Sequence, residues 1–151
     1  MGRTISHKRI LTLEDRWMVF QGRNKEYSMV IRKNIGLEKI AGKGFLNIRS
    51  GISFKILNSK KDGFPTKSEN EILYKIEDGI FKELDGKDSA FIGIIITTSG
   101  FKEFVIYHNN DFEIKEVLKK LQLKFESYNF TSYTKKDKGW KLYKEVSNNV
   151  P

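Results

Sequence analysis

The order in which strand and helix patterns alternate after Phe45 limits the fold more than any other feature of this sequence. Four segments are rich in the β-branched and aromatic residues typical of strands: 45–57, 89–97, 102–108 and 125–133. One helix pattern separates the first two segments, and another separates the last two. The order strand, helix, strand, strand, helix, strand is that of the ferredoxin-like (split βαβ) arrangement, in which two helices cover one face of an antiparallel sheet.

Both helix patterns are amphipathic. The first begins at Ser68-x-x-Glu71, which fits a capping box, and ends at Asp85-Gly86. Its apolar stripe, at three- and four-residue spacing, comprises Ile72, Leu73, Ile76, Ile80 and Leu84. Asn110-Asp111 is expected to cap the second helix. The apolar stripe of that helix comprises Ile114, Val117, Leu118 and Leu121. Residues 138–146 fit either a short helix or an extended end, and the sequence leaves both open.

The segments before Phe45 add a β-hairpin. Residues 16–21 and 27–32 read as two strands joined by a turn, and we expect them to extend the sheet. With two prolines and no Gly/Ser-rich linker, the 151-residue chain predicts one α+β domain over residues 16–146. A basic segment, 1–15, precedes it, and a frayed tail, 147–151, follows it.

The composition excludes several classes of function. The chain has no cysteine, which excludes disulfides, thiol catalysis and cysteine-ligated metals and is compatible with a cytoplasmic location. The longest apolar run, residues 91–96, has the length of a strand, so we expect no membrane span. His7 and His108 form no ligand spacing, and Gly42-Lys43-Gly44 opens no helix. We therefore expect neither a metal nor a cofactor.

No catalytic centre is evident, and we expect a protein that is not an enzyme. Ser99-Gly100 lies in a hairpin and lacks the context of a nucleophile, so a serine–histidine pair would arise only from the folding of distant segments. The paired carboxylates Glu14-Asp15 and Glu77-Asp78 fit solvated surface charges better than acid–base catalysts.

The positive charge is concentrated in the first part of the chain. The net charge is +9, and residues 1–61 hold 14 Lys and Arg against 4 Asp and Glu, whereas residues 62–151 hold 14 against 15. All six arginines lie in that first part: Arg3, Arg9, Arg16, Arg23, Arg32 and Arg49. Because arginine forms bidentate contacts with carboxylates and phosphates, a basic face is expected to bind an acidic partner. A solvated basic surface without a partner is an equally good interpretation.

The first functional hypothesis is a non-enzymatic module that inhibits or neutralises an acidic partner protein, as an immunity protein blocks a toxin or an inhibitor blocks a nuclease. Its charged contacts would be Arg16, Arg23, Arg32 and Arg49. The alternative is an RNA- or DNA-binding domain that uses the same basic face. Aromatic residues that could stack on bases are Tyr27, Phe54, Tyr107, Tyr128, Phe130 and Tyr133. The RNA-recognition signature is absent, and packing in the core is the commoner role of strand aromatics.

Several short motifs in a fixed order carry a family resemblance. They are Trp17, Arg32-Lys33-Asn34, Gly63-Phe64-Pro65 followed by Glu69 and Glu77-Asp78, the hairpin around Thr98-Ser99-Gly100, and Asp137-x-x-Trp140-x-x-Tyr143. In this order they resemble the bacterial family called domain of unknown function 695, from about Trp17 to Tyr143.

The resemblance implies no assigned reaction and no catalytic residues. Some relatives occur beside domains similar to the protein regulator of ribonuclease E activity, a ferredoxin-like inhibitor, so the resemblance implies a protein-binding, inhibitory role. If residues 138–144 are helical, Trp140 and Tyr143 share one face. They would either pack the carboxyl terminus onto the sheet, which we favour, or anchor a partner.

Overall fold

The computed structural model describes the backbone of residues 2–4, 12–14, 16–24 and 27–149, and the side chains within 16–22 and 29–146. The strands of this part of the chain are β1 (Gly2–Thr4), β2 (Thr12–Glu14), β3 (Trp17–Asn24), β4 (Tyr27–Asn34), β5 (Ile48–Lys55), β6 (Ala90–Thr98), β7 (Phe101–His108) and β8 (Thr131–Lys136). Its helices are α1 (Lys67–Leu84), α2 (Ile114–Lys124) and α3 (Lys141–Asn149), and Ile35–Leu37 form a short 3-10 helix.

Six strands form the main sheet, in the order β3-β4-β6-β7-β5-β8, and every neighbouring pair is antiparallel. β1 and β2 pair with each other in a separate two-stranded sheet. The protein is therefore a mixed α+β structure, with a six-stranded antiparallel sheet and three helices in its described part. The predicted hairpin forms as β3 and β4, and it extends the sheet beside β6.

Three sequence-based boundaries are wrong. The cap of α1 is Thr66 rather than Ser68, because the Thr66 hydroxyl accepts from the Glu69 backbone N–H at 3.2 Å. The Glu69 carboxylate instead accepts from the Leu57 backbone N–H at 2.7 Å, which fastens the start of α1 to the chain that leaves β5. Likewise α2 begins at Ile114 behind Glu113, which makes no side-chain cap, and not at Asn110-Asp111.

The third error concerns the last strand, which spans Thr131–Lys136 rather than 125–133. The aromatic residues that suggested an earlier strand, Tyr128 and Phe130, are buried in the core ahead of it. Of residues 138–146, left open by the sequence, 141–146 form part of α3, whereas 138–140 form the turn that precedes it. Of the predicted basic segment, residues 1, 5–11 and 15 lie outside the described part, as do Val150 and Pro151 of the predicted tail, whereas 147–149 continue α3.

Both faces of the sheet carry a hydrophobic core. On one face, α1 and α2 pack their apolar stripes onto residues of β5, β6 and β7 such as Ile52, Ile92 and Phe104. On the other, α3 and the segment between β4 and β5 cover β4, β6 and the upper part of β7. The sequence predicted helices on one face only. Since this second layer covers part of the other face, a smaller area of the sheet is accessible to a partner than that prediction implied.

Candidate functional site

Arg32 is committed to the fold. Its guanidinium donates to both carboxylate oxygens of Glu77 on α1, at 2.8 and 3.1 Å, and lies over the ring of Trp17 with 5.3 Å to the ring centroid. The two charged side chains are 29% and 12% exposed. The pair therefore ties β4 to α1, and Arg32 is not a free positive charge for a partner.

Arg49 is also largely buried. Its Nε lies 3.5 Å from Asp137 Oδ2, an ion pair without a well-formed hydrogen bond, and its guanidinium carbon lies 5.6 Å from the centroid of the Tyr133 ring. Of the other two predicted arginines, Arg16 is exposed just before β3. Arg23 lies in β3, but its side chain falls outside the described ones. The four arginines therefore do not form one exposed basic face among the described side chains.

Asp137 organises the segment that leads into α3. Its carboxylate accepts from the Tyr107 hydroxyl at 2.9 Å and from the Lys141 backbone N–H at 2.8 Å. The second bond satisfies a free amide of the first turn of α3, which is the role of a helix cap. The Asp137 backbone N–H donates to the Asn47 carbonyl at 2.8 Å. Asp137 thus joins α3 to β7 and to the segment before β5.

Trp140 is fully buried beneath α3. Its indole N–H is shared by the carbonyls of Phe45 and Leu46, at 3.1 Å each, and its ring stacks on Tyr107 at a centroid distance of 4.0 Å. Its backbone adopts a left-handed conformation, φ 54°, which costs roughly 1–2 kcal/mol in a residue with a side chain. The aromatic stack and the two carbonyls offset that strain.

Tyr143, in the first turn of α3, is also fully buried. Its hydroxyl donates to the Asn34 carbonyl at 2.7 Å, and its ring lies 4.3 Å from the ammonium group of Lys33. Burial lowers the pKa of Lys33 and raises that of Tyr143. Trp140 and Tyr143 therefore pack α3 onto the sheet, and neither can anchor a partner while α3 is docked.

Exposed lysines collect where α3 meets the segment between β4 and β5. The contacts of Trp140 and Asp137 hold these two segments together, and a side chain added at Gly42 would meet Lys144 Nζ at 2.6 Å. We call the lysine surface six exposed lysines on these segments, on the turn before α3 and on the face of β8 that Tyr133 shares: Lys39, Lys43, Lys135, Lys138, Lys141 and Lys144. The exposed acids on the same segments are Glu38 and Glu145, which leaves a net charge of +4.

Sequence reasoning missed the lysine surface because it followed the arginines, and because the six lysines come from distant parts of the chain. One signal was present: Lys138, Lys141 and Lys144 recur at three-residue spacing in the segment that could be helical. The region from 67 to 88, which includes α1, carries seven acidic and four basic residues. Positive charge is therefore distributed asymmetrically between α1 and α3.

His108 takes part in a buried hydrogen-bond chain. Its Nδ1 lies 2.8 Å from the Asn109 carbonyl, so Nδ1 carries the proton and Nε2 accepts from the Ser50 hydroxyl at 2.7 Å. Ser50 Oγ also lies 2.7 Å from Thr134 Oγ1. Burial lowers the pKa of His108, which favours the neutral ring that this pattern requires. The distant serine and histidine do meet, but both are buried, so the pair joins β5 to β7 in the interior, and Thr134 extends the chain to β8 at the surface.

Most of the aromatics proposed for base stacking are buried. Phe54, Tyr107, Tyr128 and Phe130 lie in the core, and the side chain of Tyr27 is outside the described ones. Tyr133, 37% exposed, remains on the sheet face opposite α1 and α2, with Phe101, 55% exposed, further along. Exposed Lys55 and Lys135 occupy the same face as these two rings.

Within the described residues no group of three or more His, Cys, Asp or Glu is placed to hold a metal ion. In the same part of the chain, none of the helices combines the length and the apolar character needed to cross a bilayer.

Residues 15–146 match the model of a family of unknown function, DUF695. The match spans most of the chain, so the protein belongs to the DUF695 family, as the sequence motifs suggested. Neither a curated protein nor a solved structure matches the chain.

Proposed function

We propose that this protein is a non-enzymatic binding module that inhibits or neutralises a partner protein, in the manner of an immunity protein or a nuclease inhibitor. The observation that carries the proposal is the lysine surface, which offers an acidic partner a net positive region on a firmly docked helix. The contact residues differ from those expected from the sequence, since Arg32 and Arg49 are engaged within the fold.

Lysine suits such a surface because its flexible, strongly hydrated ammonium group attracts acidic partners over a distance without fixing one geometry. Charge of this kind mainly raises the association rate and makes it depend on salt, while affinity needs further contacts. The mechanism is occlusion: the docked module would cover a functional surface of its partner.

The fold offers a rigid support for this role. We propose that β5 to β8, with α1 and α2, form a ferredoxin-like unit, and the order β8-β5-β7-β6 supports this because it is the strand order of the split βαβ arrangement. The β3–β4 hairpin and α3 would then be additions to that unit. A cytoplasmic location, with which the lack of cysteine is compatible, is part of the same proposal.

The test compares two triple variants with equal changes in charge. Lys43→Glu, Lys141→Glu and Lys144→Glu together reverse the lysine surface; Lys61→Glu, Lys75→Glu and Lys119→Glu together reverse exposed lysines elsewhere. Tagged proteins are used to recover partners from source-cell lysate, with and without nuclease. The proposal expects one stoichiometric protein, retained after nuclease treatment, bound by wild type and control but lost by the lysine-surface variant. Equal recovery by all three proteins would refute it.

A nucleic-acid-binding function is the second candidate, and the exposed pair Tyr133 and Phe101 beside Lys55 and Lys135 favours it. Aromatic rings that stack bases and lysines that contact phosphates are the usual elements of a single-strand site. In this case affinity for a single-stranded oligonucleotide would fall with log salt at a slope of roughly −0.7 per phosphate contacted. Replacement of Tyr133 by alanine would weaken that binding, and an unchanged affinity would exclude this site.

A further inference from the structure

The two edges of the main sheet differ in how they are protected against pairing with another strand. At one edge, β8 contains Lys135 and Lys136, with Lys138 just beyond it, and all three side chains are exposed. Charged side chains, lysine above all, are a common means by which natural sheets prevent edge-to-edge association. The β8 edge is therefore guarded.

The opposite edge, β3, is less protected: among the described side chains, exposed Arg16 precedes the strand, but none within it is charged. Residues 17–22 carry no charge, and the consecutive Met18 and Val19 are 49% and 61% exposed on opposite faces of the sheet. The strand is eight residues long and pairs with β4 without a bulge. A long edge without a bulge, with exposed apolar residues and no charge over its first six positions, is a template for a further strand.

The direction of the backbone groups on β3 follows from one hydrogen bond. The Ile35 backbone N–H donates to the Arg16 carbonyl at 2.7 Å, and these two residues continue the register in which Trp17 faces Asn34. Because bonded and non-bonded pairs alternate in an antiparallel ladder, Met18, Phe20 and Gly22 bond to β4. Trp17, Val19 and Gln21 therefore direct their N–H and C=O groups outward, and no described residue pairs with them in the sheet order.

We infer that this edge binds an extended, acidic segment of a partner protein by strand addition. Main-chain bonds to the outward groups would supply affinity, and the apolar face of the added strand would cover either Val19 or Met18, according to its register. Charge selects the occupant: exposed Arg16 precedes the strand, and Arg23 is its penultimate residue. A second copy would bring another pair of arginines and a second net charge of +9 to the same ladder, whereas an acidic segment complements them.

This inference is independent of the lysine surface, since β3 contributes none of its six residues. The Lys43→Glu, Lys141→Glu, Lys144→Glu protein should therefore still bind a strand at β3. If it does so while losing its lysate partner, the two surfaces act separately. Failure of the lysine-surface proposal alone would leave strand addition standing.

The experiment uses the full chain and a synthetic peptide of alternating glutamate and valine, about nine residues long so that it spans β3. Binding is followed by NMR titration and by amide hydrogen exchange at low salt. The expected signature is alternate protection: the amides of Trp17, Val19 and Gln21 exchange more slowly in the complex, whereas those of Met18 and Phe20, already bonded to β4, do not change. A peptide with lysine in place of glutamate should bind at least about tenfold more weakly.

Val19→Pro removes the central outward N–H without removing a bond to β4, and it should weaken peptide binding by at least about tenfold. Val19→Ile keeps both the N–H and an apolar side chain and should bind as wild type does. Ser132→Pro is the matched change on β8 and should also leave binding unchanged. Protection that does not alternate, or wild-type binding by Val19→Pro, would overturn the inference. So would alternate protection without peptide in a concentration-dependent dimer, since a second copy would then be the occupant.

Discussion

The Arg32–Glu77 pair decides whether Arg32 is a structural residue or a partner contact, and a double-mutant cycle measures it. Hydrogen bonds that involve charged groups contribute about 1.5–3 kcal/mol, whereas exposed ion pairs contribute about 0.2–1 kcal/mol. The bidentate geometry and the low exposure of Glu77 place this pair near the upper range. We expect a coupling energy of about 2 kcal/mol between Arg32→Met and Glu77→Gln. Arg32→Met alone should lose less stability than it would if Glu77 had no other cation nearby, because the charge of Lys102 also interacts with Glu77.

The assay is urea denaturation followed by circular dichroism. Fluorescence is avoided because the emission of Trp17 would change when the Arg32 guanidinium over its ring is removed, whether or not stability changes. The chain offers a matched control in Lys120 and Glu83, which join α2 to α1 at 2.9 Å with side chains 61% and 26% exposed. Because solvent screens this exposed pair, its coupling should be far smaller than that of Arg32 and Glu77. A coupling for Arg32 and Glu77 no larger than the control would refute the structural role and return Arg32 to the candidate contacts.

Three further predictions test the packing of the sheet. A methyl group at Gly51 would lie 2.8 Å from Tyr133 Cζ, so Gly51→Ala should destabilise the wild-type protein by about 1–2 kcal/mol. In a Tyr133→Ser protein, where the ring is absent, the same substitution should stabilise by about 0.5 kcal/mol. Denaturation of the four proteins measures both effects, and equal effects in both backgrounds would refute the contact. Because burial lowers the pKa of His108 from 6.5, the contribution of its neutral ring to stability is complete above that pH and declines as the pH falls towards the pKa in the folded protein. Between these two pKa values, the free energy of unfolding should depend less on pH in His108→Asn than in the wild type. An unchanged slope in a pH series would contradict the prediction. Burial likewise lowers the pKa of Lys102, whose ammonium group donates to the Thr97 hydroxyl at 3.3 Å. Lys102→Met should therefore raise stability at pH 7 by about 1 kcal/mol, and the difference from the wild type should narrow as the pH rises towards 10.5. A loss of stability in thermal melts would show that the charge is needed.

The element types were predictable because they depend on local periodicity. The apolar stripe of α1 and the hairpin signal at Ser99-Gly100 report burial on one face and a tight turn, which neighbouring residues largely decide. Boundaries were less predictable because tertiary contacts move them. Glu69, for example, binds the Leu57 amide, and this contact fixes the start of α1 against the end of β5.

The site was harder to predict than the fold, because exposure is not a local property. Arg32 and Lys144 look alike in a charge count, yet one is bonded to Glu77 across 45 residues and the other is exposed on α3. The closing motif illustrates the same limit. Its spacing predicts a shared helical face for Trp140 and Tyr143, but in the fold Trp140 precedes α3. Both rings contact Tyr107, and the Tyr143 hydroxyl reaches the Asn34 carbonyl.

The buried residues Asp137 and Trp140 position the segments that carry the exposed lysines, and this determines which variants can test the proposed function. Asp137 and Trp140 hold α3 and the segment before β5 in place, and these two elements present most of the lysine surface. Trp140→Ala would lose a fully buried side chain, at a cost of about 3–5 kcal/mol, and would release α3. Binding of the proposed partner would then fail even though the Trp140 side chain is buried and offers no contact surface. Loss of binding is therefore informative only for variants such as Lys141→Glu, whose side chain is exposed and whose replacement leaves the packing of α3 intact.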